Sequence, residues 1–294
     1  MNDGHHSVGR RRFATWGLGL AGTIALGSLA ATRRVQAAEH RRPLTLAVLP
    51  YLSATELHTR FQPLVAWLGE EIGHPVELMV APDYETMVSM VGLDAVDLAY
   101  IGPAPFVRMV ERHGPKTLLG RLSIGGRPTF TGVIVTRPDA GLNAVSDLRG
   151  KRFAFGDRLS TMSHLIPHHM LIEAGVRLRD LRGHAFLGSH VNVVQAVLAG
   201  EFDAGAVKEE VFTKYRDGGL QMLARTPPIS QQVFLATARL APELVAAAGA
   251  ALTRAPDAAL TSIQPGADAV TPVTLDDFDT LRRILAELDA AGEG

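Results

Sequence analysis

An α/β protein of two lobes, each a mixed and mostly parallel sheet flanked by helices, is the fold that this sequence predicts. Short apolar runs alternate with helical stretches along almost the whole chain, which is the rhythm of βα units. That rhythm passes through two series, each with its own apolar strands, and two sheets fit it better than one. At 294 residues the chain is also longer than one small core requires. Hydrophobic residues at 47% and charged residues at 20% exclude a disordered, collagen-like or coiled-coil chain.

The first 38 residues read as an export signal rather than fold. Arg10-Arg11-Arg12-Phe13 precedes an apolar run from Trp16 to Thr32, and Ala37 or Ala38 offers a small residue for cleavage. That run has 17 residues, four of them Gly, which is short of the roughly 20 strongly apolar residues of a spanning helix. Gly9-Arg10-Arg11-Arg12-Phe13 resembles the twin-arginine export motif. Without residues 1–38 the chain carries 24 basic and 29 acidic side chains, and no later segment is long and apolar enough to span a bilayer. A periplasmic protein exported by a cleaved N-terminal signal is the expectation. Cysteine is absent, which excludes disulfides, zinc–thiolate sites and a cysteine nucleophile. The near-neutral charge gives no field for nucleic acid.

After the signal, Leu44–Leu49 reads as a buried strand ending at Pro50. Thr55–Ile72 places Leu57, Phe61, Leu64, Val65, Leu68 and Ile72 on one helical stripe, with Pro63 expected to kink or delay the helix. Val76–Val80 is a strand, Tyr84–Val91 a helix, Asp97–Ile101 a strand and Ala104–Arg112 a helix begun by Pro. Leu118–Ile124 and Phe130–Thr136 are further strands. The second series runs through a strand at Arg152–Phe155, a helix at Ser163–Ala174, a strand at His184–Leu187 and a helix at His190–Ala199. It continues with a strand at Ala204–Val207, a helix at Glu209–Tyr215, and strands at Leu220–Ala224 and Gln231–Ala236. Helices at Pro242–Thr253 and Leu275–Ala290 finish the chain.

Ligands of open α/β sheets bind beyond the carboxyl ends of the strands, and the polar segments of interest follow strands there. In Phe155 to Pro167 a strand ends in Gly156, a hydroxyl-rich turn of Ser160, Thr161 and Ser163 follows, and a helix opens. Pro167 belongs in the first helical turn, so the free amides fall around Thr161–Ile166 and make an anion cradle without a basic side chain. Spacing alone favours the plainer reading of a Ser N-cap, the commonest role of Ser at such a place. Ser189-His190 lies between a strand and a helix, and Glu209-Glu210 opens the helix after Val207. Tyr51, Tyr84 and Tyr100 follow or end strands of the first series, where each hydroxyl either binds or merely packs. His164, His168 and His169 could meet on a helix, but no acidic or thiol partner stands at ligand spacing for a metal. No nucleophile–base pair, Walker loop or dinucleotide fingerprint is present, so neither catalysis nor a cofactor is expected.

Taken together these segments resemble the phosphate/phosphite/phosphonate-binding family of ABC-importer substrate-binding proteins. The resemblance is carried by Ala81-Pro82-Asp83-Tyr84, Asp97 to Pro103, the Ser160-Thr161 turn with Pro167, His190, and Gly200 to Val207. It spans the chain from about residue 44 onward and implies a two-lobed type II periplasmic binding protein. On that pattern lobe 1 comprises residues 39–135 and 235–294, and lobe 2 residues 136–234. The implied ligand contacts are Tyr84, Ser160, Thr161, His190 and a carboxylate, Glu210 with Glu209 as its neighbour. Tyr100 and Ser163 join them as further candidates. Two positions depart from the family pattern: Met162 stands where a Ser is usual, and Phe130 where a Tyr is usual.

The function expected is a monomeric binding protein that closes on a small phosphorus-type oxyanion and delivers it to an ABC permease in the inner membrane. The alternative is a sensing partner of a membrane histidine kinase, binding a related oxyanion such as one of arsenic.

Overall fold

The computed structural model describes residues 42–292, so the expected export signal over residues 1–38 lies outside the described residues. In chain order come β1 (Leu44–Val48), α1 (Ala54–Ile72), β2 (Val76–Val80), α2 (Tyr84–Gly92), β3 (Leu98–Ile101), α3 (Pro103–His113) and β4 (Thr117–Ile124). A short strand β5 (Thr129–Phe130) leads into β6 (Gly132–Thr136), β7 (Arg152–Phe155), α4 (Ile166–Glu173), β8 (Gly183–Phe186) and α5 (His190–Leu198). Next are β9 (Ala204–Lys208), α6 (Glu209–Tyr215), β10 (Gln221–Arg225), β11 (Ile229–Ser230) and β12 (Val233–Ala236). The chain ends with α7 (Pro242–Thr253), α8 (Asp257–Ile263), β13 (Ala267–Thr271) and α9 (Asp279–Ala290).

The strands form a six-stranded sheet, ordered β13-β4-β12-β3-β1-β2, and a five-stranded sheet, ordered β10-β6-β9-β7-β8. In both, the βα units pair in parallel, β2-β1-β3 in one and β8-β7-β9 in the other. The strands that carry the chain between the sheets, β6 and β12, pair antiparallel with their neighbours. Both sheets are therefore mixed: two of the five pairings in the first and two of the four in the second are parallel. Between the sheets β5 and β11 form an antiparallel two-stranded ribbon, with Ile229 opposite Phe130 and Ser230 opposite Thr129. Gly132–Thr136 thus belongs wholly to the second sheet, and Val233 and Phe234 to the first.

Burial explains why α1 survives its proline. Leu57, Phe61, Leu64, Val65, Leu68 and Ile72, the stripe read from spacing, are all buried, while Pro63 faces solvent inside an unbroken 19-residue helix. An interior proline costs about 3 kcal/mol, and six buried side chains at about 1.5–3 kcal/mol each outweigh it. Ser53 caps the start, its hydroxyl accepting the Glu56 N–H at 3.2 Å, and Gly73 ends the helix in the left-handed conformation.

Several elements differ from the sequence reading. The run Phe130–Thr136 is split, because Thr131 leaves the ribbon before β6 begins, and Gln231–Ala236 is a strand only from Val233. The last helix starts at Asp279 after a tight 3-10 turn over Leu275–Phe278. Helix α8 and strand β13 are additional; α8 has seven residues, too few to display a helical period. Helix α4 starts at Ile166, preceded by one turn of the wider π type over Thr161–Leu165. Pro167 does lie in its first turn. No helix among the described residues is long and apolar enough to cross a membrane.

Candidate functional site

A narrow cleft lies between the carboxyl ends of the two sets of parallel strands. Leu49 and Tyr51 after β1, Tyr84 after β2, and Gly102, Pro103 and Pro105 after β3 form one wall. Ser160, Thr161 and Met162 after β7, His190 after β8 and Lys208 at the end of β9 form the other, with Phe130 and Gln232 at the back. The enclosed space is about 20 Å³, on the order of one water. Anything larger enters only when the walls part.

The turn after β7 is held from beneath. The Gly156 N–H donates to the Ser163 carbonyl at 3.0 Å, and a Cβ on Gly156 would lie 2.7 Å from that of Ser163. The Ser163 hydroxyl donates to the Ala206 carbonyl of β9 at 2.5 Å. Above it, Ser160 is the N-cap: its Oγ accepts the Ser163 N–H at 3.2 Å, and its carbonyl accepts from His164 and Leu165. Cap and cleft wall are thus the same residue, which joins the two readings the sequence left open. The amides of Ser163 to Ile166 are consumed by the turn, so the expected cradle of free amides over Thr161–Ile166 narrows to Thr161 and Met162.

The side chains around the cleft are set as donors. Thr161 Oγ1 accepts the Ala104 N–H at 3.0 Å, from the first turn of α3 across the cleft. With acceptor capacity used in this way, the Ser160 and Thr161 hydroxyls each retain a proton to give. His190 Nδ1 accepts the Lys208 N–H at 3.0 Å, which places the ring proton on Nε2. Burial, and then the Lys208 charge, push the His190 pKa down to about 3, so the ring is neutral at physiological pH. Burial raises the Tyr84 phenol, the Asp157 charge adds to this, and the neighbouring Ser160 hydroxyl opposes it. Tyr51 is raised as well, by burial and then by Glu210, so both phenols keep their protons.

Lys208 is the residue that the sequence reading missed, and it corrects the expectation of a cradle without a basic side chain. Its ammonium is buried and donates to Gln264 Oε1 at 2.7 Å, with Glu210 Oε2 at 3.2 Å and Gln232 Oε1 at 3.4 Å. It lies 5.5 Å from the ring centroids of both Tyr51 and Phe130, a cation–π geometry. Burial lowers the Lys208 pKa, and the charge of Glu210 opposes the shift. Glu210 is in turn held on its other oxygen by Arg60 Nη1 at 2.5 Å. Burial alone would raise the Glu210 pKa, but Lys208 and Arg60 more than offset it and the net shift is downward.

Of the eight candidates, Tyr84, Ser160, Thr161 and His190 meet at the cleft. Glu210 stands behind Lys208 rather than on the wall. Three lie elsewhere. Tyr100 is in the core between Phe61 and Phe234, its hydroxyl donating to Gln232 Oε1 at 2.9 Å, because it lies inside a four-residue strand that is buried throughout. Ser163 faces β9 from beneath the turn. Glu209 turns away from Glu210, since successive helical residues diverge, and pairs with Arg225 at 2.5 Å and with Thr131. The histidine trio also separates: His164 and His168 stack beside Phe155, while His169 meets Glu287 at 2.8 Å on the surface.

Residues 46–278 match the family model described as the ABC transporter, phosphonate, periplasmic substrate-binding protein. The chain is 29% identical over 219 residues to the phosphate-import protein PhnD of Mycolicibacterium smegmatis, covering 69% of this chain and 68% of that protein. It is 26% identical over 177 residues to a probable phosphite-binding protein, PhnD1, of Prochlorococcus marinus, covering 58% and 59%. Among solved structures, PhnD1 of Prochlorococcus marinus in complex with methylphosphonate superposes with a TM-score of 0.76 at 19% identity, covering 84% of this chain and 98% of that one. A binding component of a phosphonate transporter from Pseudomonas aeruginosa gives 0.75 at 16% identity, covering 85% and 87%. At such identities the structures show the shared fold, that of the type II periplasmic binding proteins. With a family match across most of its length, the chain belongs to the periplasmic substrate-binding proteins of phosphonate ABC transporters.

Proposed function

We propose that this protein binds a small phosphorus oxyanion, namely phosphate, phosphite or a short phosphonate, in the cleft between its two sheets and hands it to an inner-membrane permease. The observation that carries the reading is the donor character of the walls. Ser160, Thr161 and His190 each have an acceptor atom occupied by a main-chain N–H, and Lys208 has donors only. A ligand made of acceptors, as an ionised oxyanion is, complements such a cleft. Binding residues are then Tyr84, Ser160, Thr161 and His190, with Tyr51 and Lys208 added. The two sheets act as lobes that exchange chain near Thr131 and between Arg225 and Val233, and closure brings their walls onto the ligand. Import is favoured over sensing because the named relatives are import or transporter-binding proteins.

Isothermal titration with phosphate, phosphite and methylphosphonate tests this. At least one should bind, and Ser160→Ala and Thr161→Ala should each weaken it by about 10- to 100-fold, the worth of a hydrogen bond to a charged oxygen. Unchanged affinity in both variants removes the cleft from the reading.

A further inference from the structure

Both oxygens of the Glu210 carboxylate are engaged by cations. Glu210 Oε1 meets Arg60 Nη1 at 2.5 Å and Oε2 meets Lys208 Nζ at 3.2 Å. The two cations differ in their partners: Arg60 also meets Glu56 Oε1 at 2.9 Å, so its charge is shared between two carboxylates, whereas Lys208 meets Glu210. Of the two, only Lys208 lines the cleft. An ammonium has three N–H donors. One goes to Gln264 Oε1 at 2.7 Å and one to Glu210, whereas the third makes only a long contact, 3.4 Å, with Gln232 Oε1. That oxygen already accepts the Tyr100 hydroxyl at 2.9 Å. The remaining neighbours are the faces of Tyr51 and Phe130, which steady a cation without using its protons.

From this we infer that Lys208 is the specificity-determining cation of the cleft, giving its third N–H to a ligand oxygen and selecting doubly ionised oxyanions over singly ionised ones and over phosphonates that carry an ammonium group. The inference rests on the oxyanion reading above and deepens it. A dianion gains a full charge partner in a dry site, where Coulomb attraction is strongest. A monoester gains half as much, and an aminoalkyl chain brings its own cation toward Lys208 with Glu210 already engaged. Arg60 and Glu210 are positioning residues, since they touch the ammonium and its partner rather than the cleft.

The test compares four ligands by isothermal titration at a pH above the second ionisation of the free phosphonates: methylphosphonate, ethylphosphonate, the monomethyl ester of methylphosphonate, and 2-aminoethylphosphonate. The monoester matches ethylphosphonate in size but keeps a single charge. The wild-type protein should bind ethylphosphonate at least about tenfold more tightly than the monoester or the amine. Lys208→Met should weaken ethylphosphonate by about 10- to 100-fold and level the three affinities, whereas Lys208→Arg should keep the preference. A merely structural role would weaken all ligands alike and leave the ranking intact, and that result overturns the inference. Equal wild-type affinity for ethylphosphonate and the monoester overturns it without any variant, should Lys208→Met fail to fold. Dianions bound without preference defeat the inference alone, whereas no binding of phosphate, phosphite or any phosphonate defeats the oxyanion reading with it.

Discussion

His190 and His164 are buried imidazoles, each with Nδ1 committed to the main chain, one accepting from Lys208 N–H and the other bonded to the Arg158 carbonyl at 2.5 Å. Burial holds both at a pKa of about 3. In the unfolded chain each titrates near 6.5, so the unfolded state takes up the proton first as pH falls. Stability is therefore fully present above about pH 6.5 and is lost as pH drops toward about 3. Between pH 7 and pH 5 each imidazole should cost about 2 kcal/mol of stability. Thermal unfolding at the two pH values checks this, and His164→Phe should flatten part of the slope by removing one titrating ring. At this scale the sequence was legible where a side chain follows a strand: Tyr84, Ser160, Thr161 and His190 all do. Lys208 was not, because Ala-Val-Lys-Glu-Glu reads as a strand running into a solvated helix. Its burial depends on Gln232 and Gln264, which lie 24 and 56 residues away in sequence.

Elements place these residues through close packing. Helix α5 carries His190 and lies against β9 at Gly205, where a Cβ would come within 2.5 Å of Val193 Cγ1 and 3.0 Å of the Ala154 carbonyl. The backbone there is ordinary, so closeness rather than conformation demands glycine. Gly205→Ala should push α5 from the sheet and cost about 1–3 kcal/mol, measured as a lower denaturant midpoint with an unchanged slope. Oxyanion affinity should fall as well, because His190 Nε2 moves with the helix. The βα units of both series were readable from apolar spacing, and α1 shows all six expected side chains buried. The π turn before α4 was not readable. It arises because the Ser160 hydroxyl and carbonyl together take three successive amides, a bond pattern that spacing does not encode.

Over the whole molecule, pairs bridge the cleft between the two sheets with their helices. Arg60 of α1 meets Glu210 of α6, Glu56 meets Lys214 at 3.2 Å, and His169 of α4 meets Glu287 of α9. Such pairs exist only with the walls together, so each biases the protein toward closure by its own differential energy. Lys214 is exposed and its pair with Glu56 contributes little, but Arg60–Glu210 is largely shielded. Arg60→Ala should open the protein in solution, seen as a larger radius of gyration by X-ray scattering without ligand. Oxyanion binding should be weaker, and saturating ligand should restore the compact form. An unchanged radius would show that this pair does not govern closure.

The ribbon of β5 and β11 gives the molecule a spine. Two unjoined linkers would let the halves roll and slide as well as fold. Two linkers laced by main-chain bonds resist those motions and leave one easy axis. If the protein closes on its ligand as proposed, each closing stroke retraces the same arc, and the outer surface of the loaded form has one reproducible contour. Phe130 sits on that spine with its ring over the Lys208 ammonium, so the axis of folding and the grip on charge meet at a single side chain.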